Sequence, residues 1–116
     1  MSLSFELPGG QSYLPGSTLT GVLIWTMPRQ PSLRIRLFWQ TKGKGTVDKG
    51  EGPQCSVPAS SASGQASFSL LLPLEPPTFS GRLISIIWAL EARDDVSRAV
   101  FTKEIVISPT GSEIYL

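Results

Sequence analysis

One cluster of acidic residues could bind a cation: Glu91 is followed closely by Asp94 and Asp95. Carboxylate oxygens are the ligands that hard cations prefer, but Ca²⁺ requires at least about six of them. Neighbouring aspartates between two strands more often accept hydrogen bonds from the backbone of their own turn. We therefore expect an Asx-type turn at Asp94 and Asp95 and no metal site.

The other combinations that could carry chemistry are incomplete. Residues 43–46 contain glycine and lysine, as phosphate-binding loops do, but they lack the GxxxxGK[ST] order and precede no helical pattern. Glu91 and Glu104 are predicted on neighbouring strands, but on an open sheet face rather than in the cleft that a glycosidase pair requires. The chain has no histidine and a single cysteine, Cys55, which excludes Ser–His and Cys–His catalysis and an internal disulfide. We expect no catalytic residue, no cofactor, no small-molecule substrate and no enzymatic activity.

Charge and hydropathy restrict the partners further. Ten Lys and Arg against nine Asp and Glu leave a net charge of +1, which does not favour nucleic acid or an anionic membrane. The longest apolar stretch, residues 83–90, is shorter than the roughly 20 residues that cross a bilayer. The first 16 residues lack the basic and apolar regions of a secretory signal. We expect a cytoplasmic protein, without integral membrane contact, that forms one domain over residues 1–116.

The hydrophobic pattern is that of β-strands. Apolar and polar residues alternate between Pro- and Gly-rich breaks, most clearly where Leu33, Ile35, Leu37 and Trp39 alternate with more polar positions. No segment shows the spacing of an amphipathic helix. The predicted strands are residues 3–7, 17–26, 33–42, 68–72, 82–93 and 99–107, with a short additional strand near residues 54–57.

About seven strands in a chain of this length predict an all-β, immunoglobulin-like sandwich of two sheets. Strands 3–7, 17–26 and 68–72 are expected in one sheet, and strands 33–42, 82–93 and 99–107 in the other. Residues 43–66, rich in Gly and Ser, are expected to form a long flexible loop for most of their length. Lys103 interrupts the apolar face of the last strand, either at a β-bulge or with a buried stem and an exposed head.

Four segments resemble the arrestin family in order and spacing. Residues 13–23 are similar to the pattern Y-x-P-G-E-x-V-x-G-x-V, and residues 33–39 to I-x-L-x-L/W. Residues 68–73 resemble F-x-F-x-L-P, and residues 77–92 resemble P-S-F-x-G-x-x-x-x-I-x-Y-x-L-x-A. The resemblance covers nearly the whole chain and implies a single sandwich of the arrestin N-terminal type.

Departures from the arrestin pattern reduce the number of arrestin functions that the resemblance implies for this chain. Arrestins have two sandwiches and this chain has length for one, so a second copy or another protein could supply the second. The basic residues with which receptor-binding arrestins hold phosphates have no counterpart in residues 2–10, and no PPxY motif is present. The chain is nearest in character to the bacterial sporulation-control and retromer-subunit branches, which implies a protein-interaction or scaffold function.

The outward-facing residues of the second sheet are the candidate binding site. Apolar side chains are expected at the centre of this face and charged side chains at its margin, as in a protein interface. A homodimer formed through this face is the simplest arrangement, with a protein partner of another kind as the other outcome. The predicted contact residues are Arg34, Arg36, Phe38, Ile87, Glu104 and Val106.

Two further binding modes stay open. An edge strand, together with residues 43–66, could bind a client peptide by strand addition. The loops at one end of a sandwich could bind carbohydrate, but Trp25, Trp39 and Trp88 are all predicted to point inward. The alternative function is therefore a client-peptide or carbohydrate-binding module.

Overall fold

The computed structural model describes residues 1–43, 49–74, 79–80, 84–107 and 114–115. Its strands are β1 (Ser2–Glu6), β2 (Ser12–Tyr13), β3 (Thr18–Thr26), β4 (Leu33–Gly43), β5 (Lys49–Val57), β6 (Ser63–Leu71), β7 (Phe79–Ser80), β8 (Ile84–Asp94), β9 (Val100–Ile107) and β10 (Ile114–Tyr115). The described part of the chain contains no helix long and apolar enough to cross a membrane.

The strands form two sheets. The smaller sheet has the order β1-β3-β6, and both of its pairings are antiparallel. In the larger sheet the order is β10-β7-β8-β4-β5, and β9 pairs with β8 and with β2. The division of the predicted strands between two sheets is confirmed, and so is the all-β sandwich.

Side chains alternate between the core and the surface as the period of two predicts. Leu33, Ile35 and Leu37 are buried, whereas Arg34 between them is exposed. Trp88 is 1% exposed at the centre of the core, and Trp39, its neighbour across the strands, is only half-buried. The core therefore lies between the sheets, with Trp88 as one of its largest buried side chains.

Two of the resembling segments have a clear structural role. Ser17 N–H donates to the Leu14 carbonyl at 3.2 Å, which closes a turn with Pro15 and Gly16 at its centre. Gly16 has φ +76°, a conformation that glycine adopts without strain. At Gly21 a Cβ would lie 2.9 Å from the Glu6 carbonyl and 2.9 Å from Phe68 Cζ, so the absence of a side chain permits this close packing.

The expectation of a long loop over residues 43–66 is wrong for much of that segment. Strand β5 spans Lys49–Val57 and pairs with β4, and strand β6 begins at Ser63. The short strand expected near residues 54–57 is therefore longer than predicted. Backbone pairing with β4 and β3 defines these strands, although their side chains give little apolar alternation.

The structure also distinguishes the two alternatives for Lys103. The register between β8 and β9 is continuous from Trp88↔Ile105 to Arg93↔Val100, with no bulge. Lys103 pairs with the buried Leu90 and is itself half-buried. Its aliphatic stem therefore faces the core side of β9 while its exposed part reaches solvent.

Candidate functional site

The six predicted contact residues share the outer face of the larger sheet, called the outer face below. Phe38 pairs with Ala89, which pairs with Glu104, so β4, β8 and β9 bring these positions into one row. Ile87 and Arg36 follow on the same face by the alternation of their strands. The structure places on this face Arg34, Arg36, Phe38, Ile87, Glu104 and Val106.

The apolar side chains occupy one part of the outer face. Phe38, Ile87 and Val106 are each half-buried, and Ala89 between them is 3% exposed. The guanidinium of Arg36 lies 4.8 Å from the centroid of the Phe38 ring, in a cation–π contact that covers part of the ring. The apolar patch is therefore continuous across strands but only partly open to solvent.

Charged side chains occupy the other part, where they pair across strands. Arg36 Nε donates to Glu91 Oε1 at 2.9 Å, and Arg36 Nη2 donates to Oε2 at 3.2 Å. The Glu91 side chain is only 9% exposed, and its hydrogen bond to Arg36 raises the pKa of the guanidinium. Glu51 of β5 lies 3.6 Å from the other side of Arg36. The charges thus form a band beside the apolar patch, and Glu51 and Glu104 also lie at the two ends of the row that contains Phe38 and Ala89.

A second ion pair extends the band towards the end of β8. Arg34 Nε and Nη2 each lie 2.9 Å from a carboxylate oxygen of Asp95, and both side chains are exposed. The sequence places Glu91 on this face but does not indicate its pairing with Arg36. Nor does it indicate that Glu51, Arg93 and Asp95 are neighbours of these arginines. The alternation of β8 could have placed Arg93 on the outer face. Glu51 could not be placed there from sequence, because the part of strand β5 that contains it was not predicted.

Asp94 confirms the expected Asx-type turn. Its carboxylate accepts hydrogen bonds from the Val96 and Ser97 amides at 3.0 and 3.1 Å, and from the Ser97 hydroxyl at 2.6 Å. The Ser32 amide, across the fold, donates to Oδ1 at 2.9 Å. Burial raises the pKa of the Asp94 carboxyl, but the hydrogen bonds from Ser97, Ser32 and Val96 outweigh burial, and the net pKa is lowered. These contacts assign Asp94 a structural role.

The remaining chemical combinations have different outcomes. Residues 44–46 of the glycine–lysine segment lie outside the described part of the chain. Glu91 and Glu104 share the outer face, where Arg36 holds the Glu91 carboxylate. Among the described residues, no group of Cys, Asp and Glu side chains is placed to bind a metal ion. Trp25 and Trp88 are buried and Trp39 is half-buried, so none of the three indoles is freely exposed as a platform for a sugar ring.

Comparison with known proteins identifies the type of sandwich fold. No protein-family model matches the sequence, and no curated protein matches it. Among solved structures, the chain is similar to Spo0M, a sporulation control protein from Bacillus subtilis, with a TM-score of 0.65 and 13% sequence identity. The match covers 91% of this chain and 48% of the Spo0M chain, so the chain spans about half the length of that structure. The protein therefore has the arrestin-like sandwich fold that the sequence resemblance implied.

Proposed function

We propose that this chain is a non-catalytic protein-interaction module that self-associates through its outer face. The observation that carries the proposal is the meeting of Phe38, Ile87 and Val106 on one face, beside a band of paired charges. Apolar contact area next to charged side chains is the usual composition of a protein interface. The similarity to a regulatory protein of the same fold supports a binding function rather than catalysis.

A second copy is the occupant that the charges favour. A symmetric dimer requires a surface that is complementary to itself, because the same patch is used by both subunits. The outer face carries Arg34, Arg36 and Arg93 together with Glu51 and Glu91, so rotation of one copy can oppose unlike charges.

Light scattering over a concentration series tests this proposal. The wild-type chain is expected to approach twice its mass of 12.5 kDa as concentration rises. Phe38→Asp is expected to remain monomeric, because it replaces the apolar ring at the centre of the dimer contact with a carboxylate that association would have to remove from water. Circular dichroism and thermal unfolding establish that the variant still folds.

Thr20→Asp is the matched control, since Thr20 is an exposed strand residue on the outer side of the smaller sheet. It is expected to dimerise as the wild type does. A wild-type chain that stays monomeric at high concentration contradicts self-association. A dimer that survives Phe38→Asp places the contact on another surface.

A further inference from the structure

The strands at the sheet edges differ in how well they are protected against pairing with another chain. Natural edges are protected by short length, charged side chains, proline, bulges or inward-pointing charges. Strand β1 has five residues and ends in Glu6, and β10 has two residues. In β5, Gly52 and Pro53 lie opposite the single residue Leu37, which forms a bulge. In β9, Lys103 is the inward-pointing charge.

Strand β6 has none of these protections. It runs for nine residues, Ser63–Leu71, without a proline or a charged side chain. Its register with β3 is uninterrupted from Thr26↔Ser63 to Thr18↔Leu71. An edge of this length and regularity is a template for an additional strand.

The hydrogen bonds at both ends of β6 show which backbone groups face outward. Met27 N–H donates to the Ala62 carbonyl at 2.8 Å, and Leu72 N–H donates to the Ser17 carbonyl at 2.8 Å. Because hydrogen-bonded pairs alternate along an antiparallel ladder, the even-numbered residues of β6 bond to β3. The odd-numbered residues therefore turn their N–H and C=O groups to the free edge: Ser63, Gln65, Ser67, Ser69 and Leu71.

The central part of this edge is open within the described structure. The Ser63 carbonyl accepts a hydrogen bond from the Ser61 hydroxyl at 2.5 Å. No described residue donates to or accepts from the outward backbone groups of Gln65, Ser67 and Ser69. Three consecutive outward positions are thus available for pairing.

Side chains on both faces of β6 define what could pair there. On the outer side, Gln65, Ser67 and Ser69 are exposed and uncharged. On the inner side, Ala66 is half-buried against the core, and so is Cys55 of the neighbouring edge strand β5. A strand added to β6 would therefore place alternate side chains beside polar neighbours on the outer side and beside Ala66 on the inner side.

We propose that the free edge of β6 binds an extended peptide segment of a partner protein by strand addition, with uncharged polar and apolar residues alternating along the segment. The added strand runs antiparallel to β6, so its residues that exchange hydrogen bonds with the odd-numbered residues of β6 lie directly opposite them and have their side chains on the outer side. The apolar residues, on the inner side, are therefore those whose amides point away from β6. If two copies of β6 paired with Gln65 opposite Gln65, only Gly64 and Ala66 would lie at the central inner positions, and with Ser67 opposite Ser67 the residue facing Ala66 would be Phe68, which is already buried in its own core. A segment with larger apolar residues at these positions would therefore bury more apolar area beside Ala66 than a second β6.

The probe is a synthetic peptide of alternating Thr and Val that carries a fluorophore at one end. Every Val amide is N-methylated, so only one edge of the extended peptide can donate backbone hydrogen bonds. Its Thr amides can pair with β6, its Val side chains face inward, and the methyl groups prevent stacking of peptides on each other. We expect fluorescence anisotropy to show saturable binding below about 1 mM. A peptide with all amides methylated is expected not to bind, and the exchanged pattern, with methylated Thr and free Val amides, is expected to bind more weakly.

Gln65→Pro removes one outward N–H without removing a hydrogen bond to β3, since proline is tolerated where the strand N–H faces outward. We expect its affinity for the probe to fall by at least about tenfold. Gln65→Ala, which keeps the N–H, is expected to bind as the wild type does. Ser67→Pro provides the same test at a second position, and thermal unfolding confirms that each variant folds.

Amide hydrogen exchange adds a measurement that requires no variant. The amides of Gln65, Ser67 and Ser69 are expected to exchange faster than those of Gly64, Ala66 and Phe68, and to slow when the probe is bound.

Three results of the binding experiments would overturn the proposal. They are equal binding of the fully methylated peptide, undiminished binding by both proline variants, and no binding at about 1 mM. Loss of self-association in Gln65→Pro would assign the edge to a second copy and would also overturn it. Phe38→Asp is expected to bind the probe normally, which separates this proposal from the outer-face dimer.

Discussion

Asp94→Ala is expected to lower the free energy of unfolding by about 3 kcal/mol. Asp94 is 1% exposed and accepts four hydrogen bonds, from Ser32, Val96 and the amide and hydroxyl of Ser97. Its loss leaves the Ser32 amide without this partner and releases the turn between β8 and β9. The expected cost is less than the sum of four charged hydrogen bonds because water can reach part of the turn. Urea unfolding monitored by tryptophan fluorescence measures it.

Asp95→Ala is the matched control for Asp94→Ala. Its carboxylate pairs with Arg34, and both side chains are substantially exposed. Exposed ion pairs contribute at most about 1 kcal/mol, so this neighbouring substitution is expected to have a small effect. Equal losses in the two variants would contradict the anchoring role of Asp94.

The stability that Asp94 contributes is expected to depend on pH. The folded state lowers the pKa of the Asp94 carboxyl, so the folded protein holds this group as a carboxylate more strongly than the unfolded chain does. The contribution is therefore complete above the unfolded pKa of about 4 and is lost as pH falls from there through the lower, folded pKa. Urea unfolding at several pH values should show the wild type and Asp94→Ala converging in acid. A difference that stays constant across this range would contradict the assignment.

Alternation of side chains predicted the sandwich because most of its strands have one face in the core. Leu33, Ile35 and Leu37 are buried on the inner face of β4, and this period of two identifies the strand without further information. Strand β5 was predicted only for its last residues, 54–57, for a physical reason. Its glycines suggest a loop, yet Gly50 lies against the Trp39 indole, and a Cβ at Gly52 would lie 3.3 Å from Trp88 Cζ3. These glycines leave room for aromatic rings beside an edge strand.

At the candidate site too, alternation predicts which face a residue lies on, but not which residue of another strand it pairs with. Face membership follows from alternation, so Phe38 and Ile87 could be placed together from sequence. The pairing of Arg36 with Glu91 depends on the register between β4 and β8, which lie far apart in the chain and whose pairing no local pattern specifies. The sequence likewise indicated a turn at Asp94, but the hydrogen bond from Ser32 required the tertiary structure.

Arg36→Ala is expected to lower the free energy of unfolding by about 2 kcal/mol, because it leaves Glu91 without the partner that binds both of its oxygens. The loss is smaller than for a fully buried pair because the Arg36 side chain is 38% exposed. Arg93 cannot replace it from its present position, since its Nε lies 3.9 Å from Glu91 Oε1. Urea unfolding provides the measurement.

A double-mutant cycle with Glu91→Gln separates the ion pair from the loss of packing by the Arg36 side chain. If the buried carboxylate causes the loss, Arg36→Ala should cost less in the Glu91→Gln background than in the wild type. Arg34→Ala, which breaks only the exposed pair with Asp95, is the control and should cost less than about 1 kcal/mol. Additive effects in the cycle would mean that Arg36 stabilises the sheet mainly by covering Phe38, over whose ring its guanidinium lies.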